Sequence, residues 1–130
     1  MQMVMRGLAC LVGLVLLAMG IRAQLDPAGA AQSLALAPIG VGGLASVRAD
    51  LFGLFTGTAV ASIYGAIRVR RDFLLVAALI IGIIAAGRVA SIFIDGMAPT
   101  SVPATLIEVL MVAVLLACRK SLREPAAQPA

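Results

Sequence analysis

The chain has 130 residues, of which 62% are hydrophobic and only 12% are charged, and its formal net charge is +4. Soluble proteins have about a quarter of their residues charged, so this composition excludes a soluble domain and indicates an integral membrane protein. The basic residues stand in short clusters beside apolar runs and form no basic face interleaved with aromatic side chains, which excludes a nucleic-acid partner.

The first apolar segment predicts a membrane span over residues 3–21. A cleaved signal peptide is the alternative, because a basic residue precedes the segment and Ile21-Arg22-Ala23 offers a weak cleavage site. Isoleucine is a poor residue for such a site, whereas Gly13 and Gly20 suit the packing of a retained helix. We therefore expect the first span to be retained.

A long loop, residues 22–48, follows the first span and begins with the turn signal Asp26-Pro27. Its last part, residues 34–47, has no charged residue and contains one proline and three glycines. This part either lies along the membrane interface or lengthens the second helix.

Three more apolar segments predict spans over residues 49–67, 73–94 and 102–118. Each span needs about 20 apolar residues, which leaves no room for an extramembrane domain of useful size. The expected fold class is all-α, an integral membrane four-helix transmembrane bundle. It forms a single domain over residues 1–124, and residues 125–130 are expected to be a disordered tail.

Most basic residues belong to one side of this bundle. They are Arg6, the turn residues Arg68, Arg70 and Arg71, and the tail residues Arg119, Lys120 and Arg123. Basic residues favour the cytoplasmic side of a membrane. We therefore predict a multi-pass protein with both termini in the cytoplasm.

Small residues recur at every fourth position of the second and third spans, a spacing that places them on one face of a helix and predicts close packing. They are Gly53, Gly57, Ala61 and Gly65 in the second span, and Ala78, Gly82, Ala86 and Ala90 in the third. We favour packing of these two faces within one bundle. A homodimer interface is the alternative.

Arg88 lies deep inside the longest apolar run of the chain. An arginine near the bilayer centre costs about 2.5 to 3.5 kcal/mol on insertion scales unless it finds a partner, water or the interface. Glu108 is the expected partner, because it lies about 7 to 8 Å past the start of the next helix and so near the level of Arg88. The two residues are predicted to form an ion pair.

A wider polar cluster is expected in the outer half of the membrane or at its boundary. Its members are Arg48, Asp50, Arg88, Asp95 and Glu108. One role is an outward-facing pocket that binds a polar or anionic headgroup, a quinone or protons. The other is a structural ion-pair network that fixes the register of the helices, and the two roles carry equal weight.

The sequence shows no catalytic constellation, because it has no histidine and its serines have no evident base beside them. Cys10 and Cys118 lie far apart, at span ends near the reducing cytoplasmic side, so a disulfide or a metal site is not expected. We expect no enzyme activity, no metal and no cofactor.

Several short motifs together resemble a known family. They are Leu25-Asp26-Pro27-Ala28-Gly29, Val47-Arg48-Ala49-Asp50, Gly87-Arg88, Asp95-Gly96 and Glu108. The pattern resembles the bacterial four-helix membrane family catalogued as domain of unknown function 4345, which is similar in outline to DoxX-like proteins. The resemblance covers about residues 3–123, implies a bundle in the bacterial inner (plasma) membrane, and carries no assigned activity.

These observations predict a polytopic inner-membrane protein whose outward-facing charged cluster binds a small ligand or lipid, or docks a membrane partner. One alternative is an accessory subunit of a quinone-linked membrane oxidoreductase, as the DoxX likeness implies. Another is a small proton-coupled transporter in which Asp95 and Glu108 titrate. The expected partners are membrane lipids and either a second copy of the chain or a membrane subunit.

Overall fold

The structure, a computed structural model, describes residues 1–122. Within that range it has five helices: α1 (Gln2–Leu25), α2 (Pro27–Ser33), α3 (Gly40–Ile67), α4 (Arg71–Ile94) and α5 (Ser101–Ser121). All except α2 are long and apolar enough to cross a membrane. The all-α fold with four such helices is therefore confirmed. The predicted tail, residues 125–130, and the basic residue Arg123 lie outside the described residues.

The second spanning helix, α3, shows the largest difference from its predicted bounds, because it begins at Gly40 rather than at residue 49. The sequence left two alternatives for residues 34–47, a position along the membrane interface or a longer second helix. The structure shows the longer helix. Gly40 has a φ of +62°, a left-handed conformation that favours glycine, and it turns the chain from extended Ile39 into the helix. Gly40 therefore marks the start of α3.

The short helix α2 lies where the sequence predicted a turn. Asp26 caps it, since its side chain accepts a hydrogen bond of 2.9 Å from the Gly29 amide. Pro27 occupies the first turn, where its missing N–H is not needed. Ala30 and Ala31 are buried against the rest of the protein, so α2 packs on the bundle.

The four spanning helices form a ring in which consecutive helices are neighbours and α1 also touches α5. The contacts between α1 and α3 and between α4 and α5 are the most extensive. The approach of α1 to α3 depends on glycine, because a Cβ on Gly13 would overlap the Ile63 side chain and one on Gly20 would overlap the Thr56 hydroxyl. Small residues thus bring these two helices together, as the sequence predicted for glycines of the first span.

The small-residue faces of α3 and α4 do not meet along their length. Gly65 packs closely, since a Cβ there would lie 3.0 Å from the Leu74 amide nitrogen. A Cβ added to Gly53 or to Gly57, in contrast, would have no neighbouring atom within 4 Å. On α4, Ala78 is buried, Gly82 faces Val112 of α5 at 4.0 Å, and Ala86 is exposed. The two faces do not meet because α3 packs more extensively against α1 than against α4.

Buried residues concentrate at the end of the bundle where α1 and α4 begin and α3 and α5 end. Leu74, Leu115 and Cys118 are fully buried there. At the same end, Arg6 donates hydrogen bonds of 2.7 and 2.8 Å to the carbonyls of Ala66 and Ile67 at the end of α3. We call this the basic end. At the opposite end, all four spanning helices surround a cavity.

Candidate functional site

Arg88 of α4 and Glu108 of α5 form an ion pair, as the sequence predicted. Nη2 of Arg88 lies 2.8 Å from Oε1 of Glu108, and Nε lies 3.2 Å from each carboxylate oxygen. The guanidinium therefore presents one flat edge to the carboxylate, the geometry of a strong charge-assisted pair. Within residues 1–122 it is the only salt bridge.

Both members of the pair are partly accessible, since the side chains of Arg88 and Glu108 are 31% and 15% exposed. Arginine has five N–H donors and no acceptor. Nη1 of Arg88 makes no hydrogen bond to any of residues 1–122. The guanidinium edge that faces away from Glu108 therefore keeps donors available for another group.

The pair forms part of the wall of a cavity of about 380 Å³. All four spanning helices line this cavity, through side chains such as Leu16, Leu54, Ile84 and Met111. The cavity is open rather than sealed, because two of its lining residues, Leu54 and Ile107, are 39% and 55% exposed.

Polar groups are scarce in the cavity lining. Apart from Arg88, Glu108 and Thr58, every lining side chain is apolar. The Thr58 hydroxyl hydrogen is already used, because it is donated at 2.7 Å to the Leu54 carbonyl within its own helix. Arg88 is thus the one lining side chain that has hydrogen-bond donors left for a ligand.

The segment between α2 and α3 covers the cavity with Leu34 and Leu36. It is held by a hydrogen bond of 2.9 Å from the Leu36 amide to the Ala31 carbonyl. Ala35, between the two leucines, has a φ of +57°, which costs about 1 to 3 kcal/mol in a residue with a side chain. Sequence reasoning missed this cover, although two leucines after a capped Asp-Pro turn were a signal for it.

The other three residues of the predicted cluster lie apart from the pair and do not line the cavity. Arg48 donates a hydrogen bond of 3.1 Å to the Gln24 carbonyl and so ties α3 to the end of α1. Asp95 accepts a hydrogen bond from the Ser91 hydroxyl one turn earlier. Asp50 is exposed and has no hydrogen bond or ion pair to the residues that the structure describes.

The comparison with known families fits this architecture. A family model described as Domain of unknown function (DUF4345) matches residues 4–118, a range that includes Arg88 and Glu108. Searches of curated proteins and of solved structures each found no match. Because the family model matches most of its length, the chain belongs to the family of the domain of unknown function DUF4345, as its resemblance predicted.

Proposed function

We propose that this protein binds a small amphipathic ligand or lipid in the cavity beside Arg88 and Glu108, without catalysing a reaction. The observation that supports this is the location of the pair in the wall of an otherwise apolar cavity of about 380 Å³. A pair that only fixed helix register would need no space beside it, because protein interiors are otherwise closely packed. The cavity therefore favours the ligand-binding role over the structural one.

The size and lining of the cavity support a small ligand. Sites for small molecules measure about 300 to 1,000 Å³ and combine apolar walls with a few polar groups. A cavity of about 380 Å³ falls within this range, and its polar side chains are two charged residues and one threonine. Such a site fits a molecule with an apolar body and one polar end.

The distribution of charge supports an orientation with both termini in the cytoplasm. The basic end carries Arg6, Arg68, Arg70, Arg71, Arg119 and Lys120, with Asp72 as the acidic residue nearby in sequence. The opposite end carries two basic residues, Arg22 and Arg48, and three acidic ones, Asp26, Asp50 and Asp95. By the positive-inside rule the cavity lies towards the outer face of the bacterial inner membrane, which is part of this proposal.

The cavity gives less support to proton-coupled transport. Of the residues that line it, Glu108 is the one carboxylate, and Arg88 holds it. A proton relay needs further titratable groups along a path, and Asp95 does not line the cavity. Ligand binding is therefore the function we favour.

Native mass spectrometry of protein extracted gently from its membrane tests the proposal. Ala104 lines the cavity, so Ala104→Phe fills part of it. Ala113 is exposed on the same helix and outside the cavity lining, so Ala113→Phe is the matched control. We expect a bound small molecule on the unaltered protein and on Ala113→Phe, and its loss from Ala104→Phe. Equal retention by both variants, or no bound molecule on the unaltered protein, would overturn the proposal.

A further inference from the structure

We infer that the ligand is an uncharged amphipathic molecule whose one polar end carries a carbonyl or hydroxyl oxygen, held against the free edge of the Arg88 guanidinium. This inference rests on the proposed function and names the chemical class of the ligand. It depends on three features of the cavity: the net charge of its wall, the donors left on Arg88, and the apolar character of the remaining lining.

The charge of the wall disfavours a charged ligand. Arg88 and Glu108 together carry no net charge, and the other lining residues are uncharged. An anionic head would leave two negative groups around one guanidinium, and a cationic head would leave two positive groups around one carboxylate. An unpaired charge is expensive where the surroundings are apolar. An uncharged head adds no such charge.

The hydrogen-bonding capacity of Arg88 requires an acceptor on the ligand. Nε and Nη2 of Arg88 point at the carboxylate, whereas Nη1 makes no hydrogen bond to any residue between 1 and 122. Arginine has donors only, so its partner must offer a lone pair. A carbonyl or hydroxyl oxygen meets this requirement without bringing a charge.

The rest of the lining restricts the ligand to one polar end. Thr58 is the one other polar side chain in the lining, and its hydroxyl already donates to the Leu54 carbonyl. A second acceptor group on the ligand would therefore find no donor and would lose its hydrogen bonds to water without replacement. Leucine, isoleucine, methionine and phenylalanine side chains surround the remaining volume and suit a hydrocarbon body.

The test uses two photoreactive probes with the same 16-carbon chain and a diazirine near its middle: hexadecanol and hexadecanoate. The protein is placed in phosphatidylcholine vesicles at pH 9, where a carboxylate is ionised. Labelled peptides are mapped by mass spectrometry. The signal at Met111, which lines the cavity, is divided by the signal at Leu116, which is exposed on the same helix outside the lining. This ratio corrects for the different amounts of probe in the bilayer.

We expect the alcohol to give a ratio about tenfold higher than the carboxylate, because both heads accept a hydrogen bond from Arg88 but only the carboxylate adds an unpaired charge to the neutral wall. Glu108→Gln should reverse the preference, because Arg88 then carries an uncompensated positive charge. Asp50→Asn makes the same chemical change at an exposed position outside the lining, so it should leave the preference unaltered.

The outcomes distinguish the inferred ligand class from the existence of the ligand site. If the carboxylate labels the unaltered protein as strongly as the alcohol, the inferred ligand class is wrong, while the ligand site itself stands. An unchanged preference in a folded Glu108→Gln protein would also overturn the inference. If neither probe labels Met111 above Leu116, the proposed function fails together with the inference. Should Glu108→Gln not fold, the comparison of the two probes on the unaltered protein still decides.

Discussion

Arg6 and Ala66 join the first turns of α1 to the last turn of α3, because Nε of Arg6 donates a hydrogen bond of 2.7 Å to the Ala66 carbonyl. Nη2 of the same side chain donates to the Ile67 carbonyl at 2.8 Å. The last carbonyls of a helix have no partner within the helix, and a cation beside them is favourable. Arg6 thus ties α1 to the end of α3 at the basic end of the bundle.

Replacing Arg6 with lysine should destabilise the protein by about 1 to 2 kcal/mol. Lysine keeps the charge, but it lacks the planar fork that reaches two carbonyls at once. Thermal unfolding in detergent of variants made in a Cys10→Ser background, followed by a fluorogenic thiol reagent, measures the loss, because the remaining thiol, Cys118, is fully buried in the folded protein. Arg68→Lys is the control, since Arg68 is exposed and its side chain makes no hydrogen bond within residues 1–122. Equal effects of the two substitutions would contradict the role of the fork.

Charge reversal tests the coupling between Arg88 and Glu108. Arg88→Glu and Glu108→Arg should each lower stability by about 2 to 3 kcal/mol, because each places two like charges together among apolar side chains. The double swap should recover most of the loss. Asp50→Arg, at an exposed position without an ion pair in the described part of the chain, should change stability by less than about 0.5 kcal/mol. The same unfolding measurement applies, and additive losses in the double variant would argue against the pair.

Two glycine substitutions should have opposite effects. Gly20→Ala should destabilise the protein by about 1 to 3 kcal/mol, since the new methyl group would overlap the Thr56 hydroxyl and press α1 away from α3. Gly53→Ala should stabilise it by about 0.5 to 1 kcal/mol, because nothing lies near the added Cβ and alanine favours the helix. Unfolding temperatures of the two variants, compared with the unaltered protein, check both signs. A loss of stability in Gly53→Ala would show that this face packs against something in solution.

Removing the cap of α2 should loosen the cover of the cavity. Asp26→Ala deletes the acceptor for the Gly29 amide, a change that costs about 1 kcal/mol at a helix start. Hydrogen exchange of the amides in residues 28–36 should become faster, while the exchange of α4 should not change. Asp95→Ala provides a comparison, because Asp95 accepts its hydrogen bond from Ser91 of its own helix, α4. Unaltered exchange in Asp26→Ala would mean that the burial of Ala30 and Ala31 holds α2 without its cap.

The four spans and the Arg88–Glu108 pair could be predicted from the sequence, because both follow from local rules. Apolar segments of a given length must cross a membrane as helices, and a charge inside one of them requires a partner at the same level of the next. The directions in which the other predicted site and packing residues point depend on how each helix is oriented about its own axis. That orientation turned Gly53 and Gly57 away from α4 and left Asp50 exposed, and hydrophobicity alone carries no signal for it.

The cavity and its cover also depend on how the helices pack, and could not be predicted from hydrophobicity alone. Leu34 and Leu36 follow a turn signal in the sequence, but only the packing of α2 on the bundle brings them to the cavity lining. The predicted five-residue cluster failed to form for a related reason. Residues near one level of a membrane still point in different directions, so Arg48 reaches the Gln24 carbonyl and Asp95 stays with its own helix.

The length of α3 relates the cavity to the thickness of the surrounding bilayer. Its 28 residues extend for about 42 Å, which exceeds the hydrocarbon core of about 30 Å. In the proposed orientation, we expect this surplus to place the first turns of α3, and the cover that precedes them, at the level of the lipid headgroups. Leu34 and Leu36 would then lie close to those headgroups. We therefore expect lipid composition to influence how easily a ligand enters the proposed site.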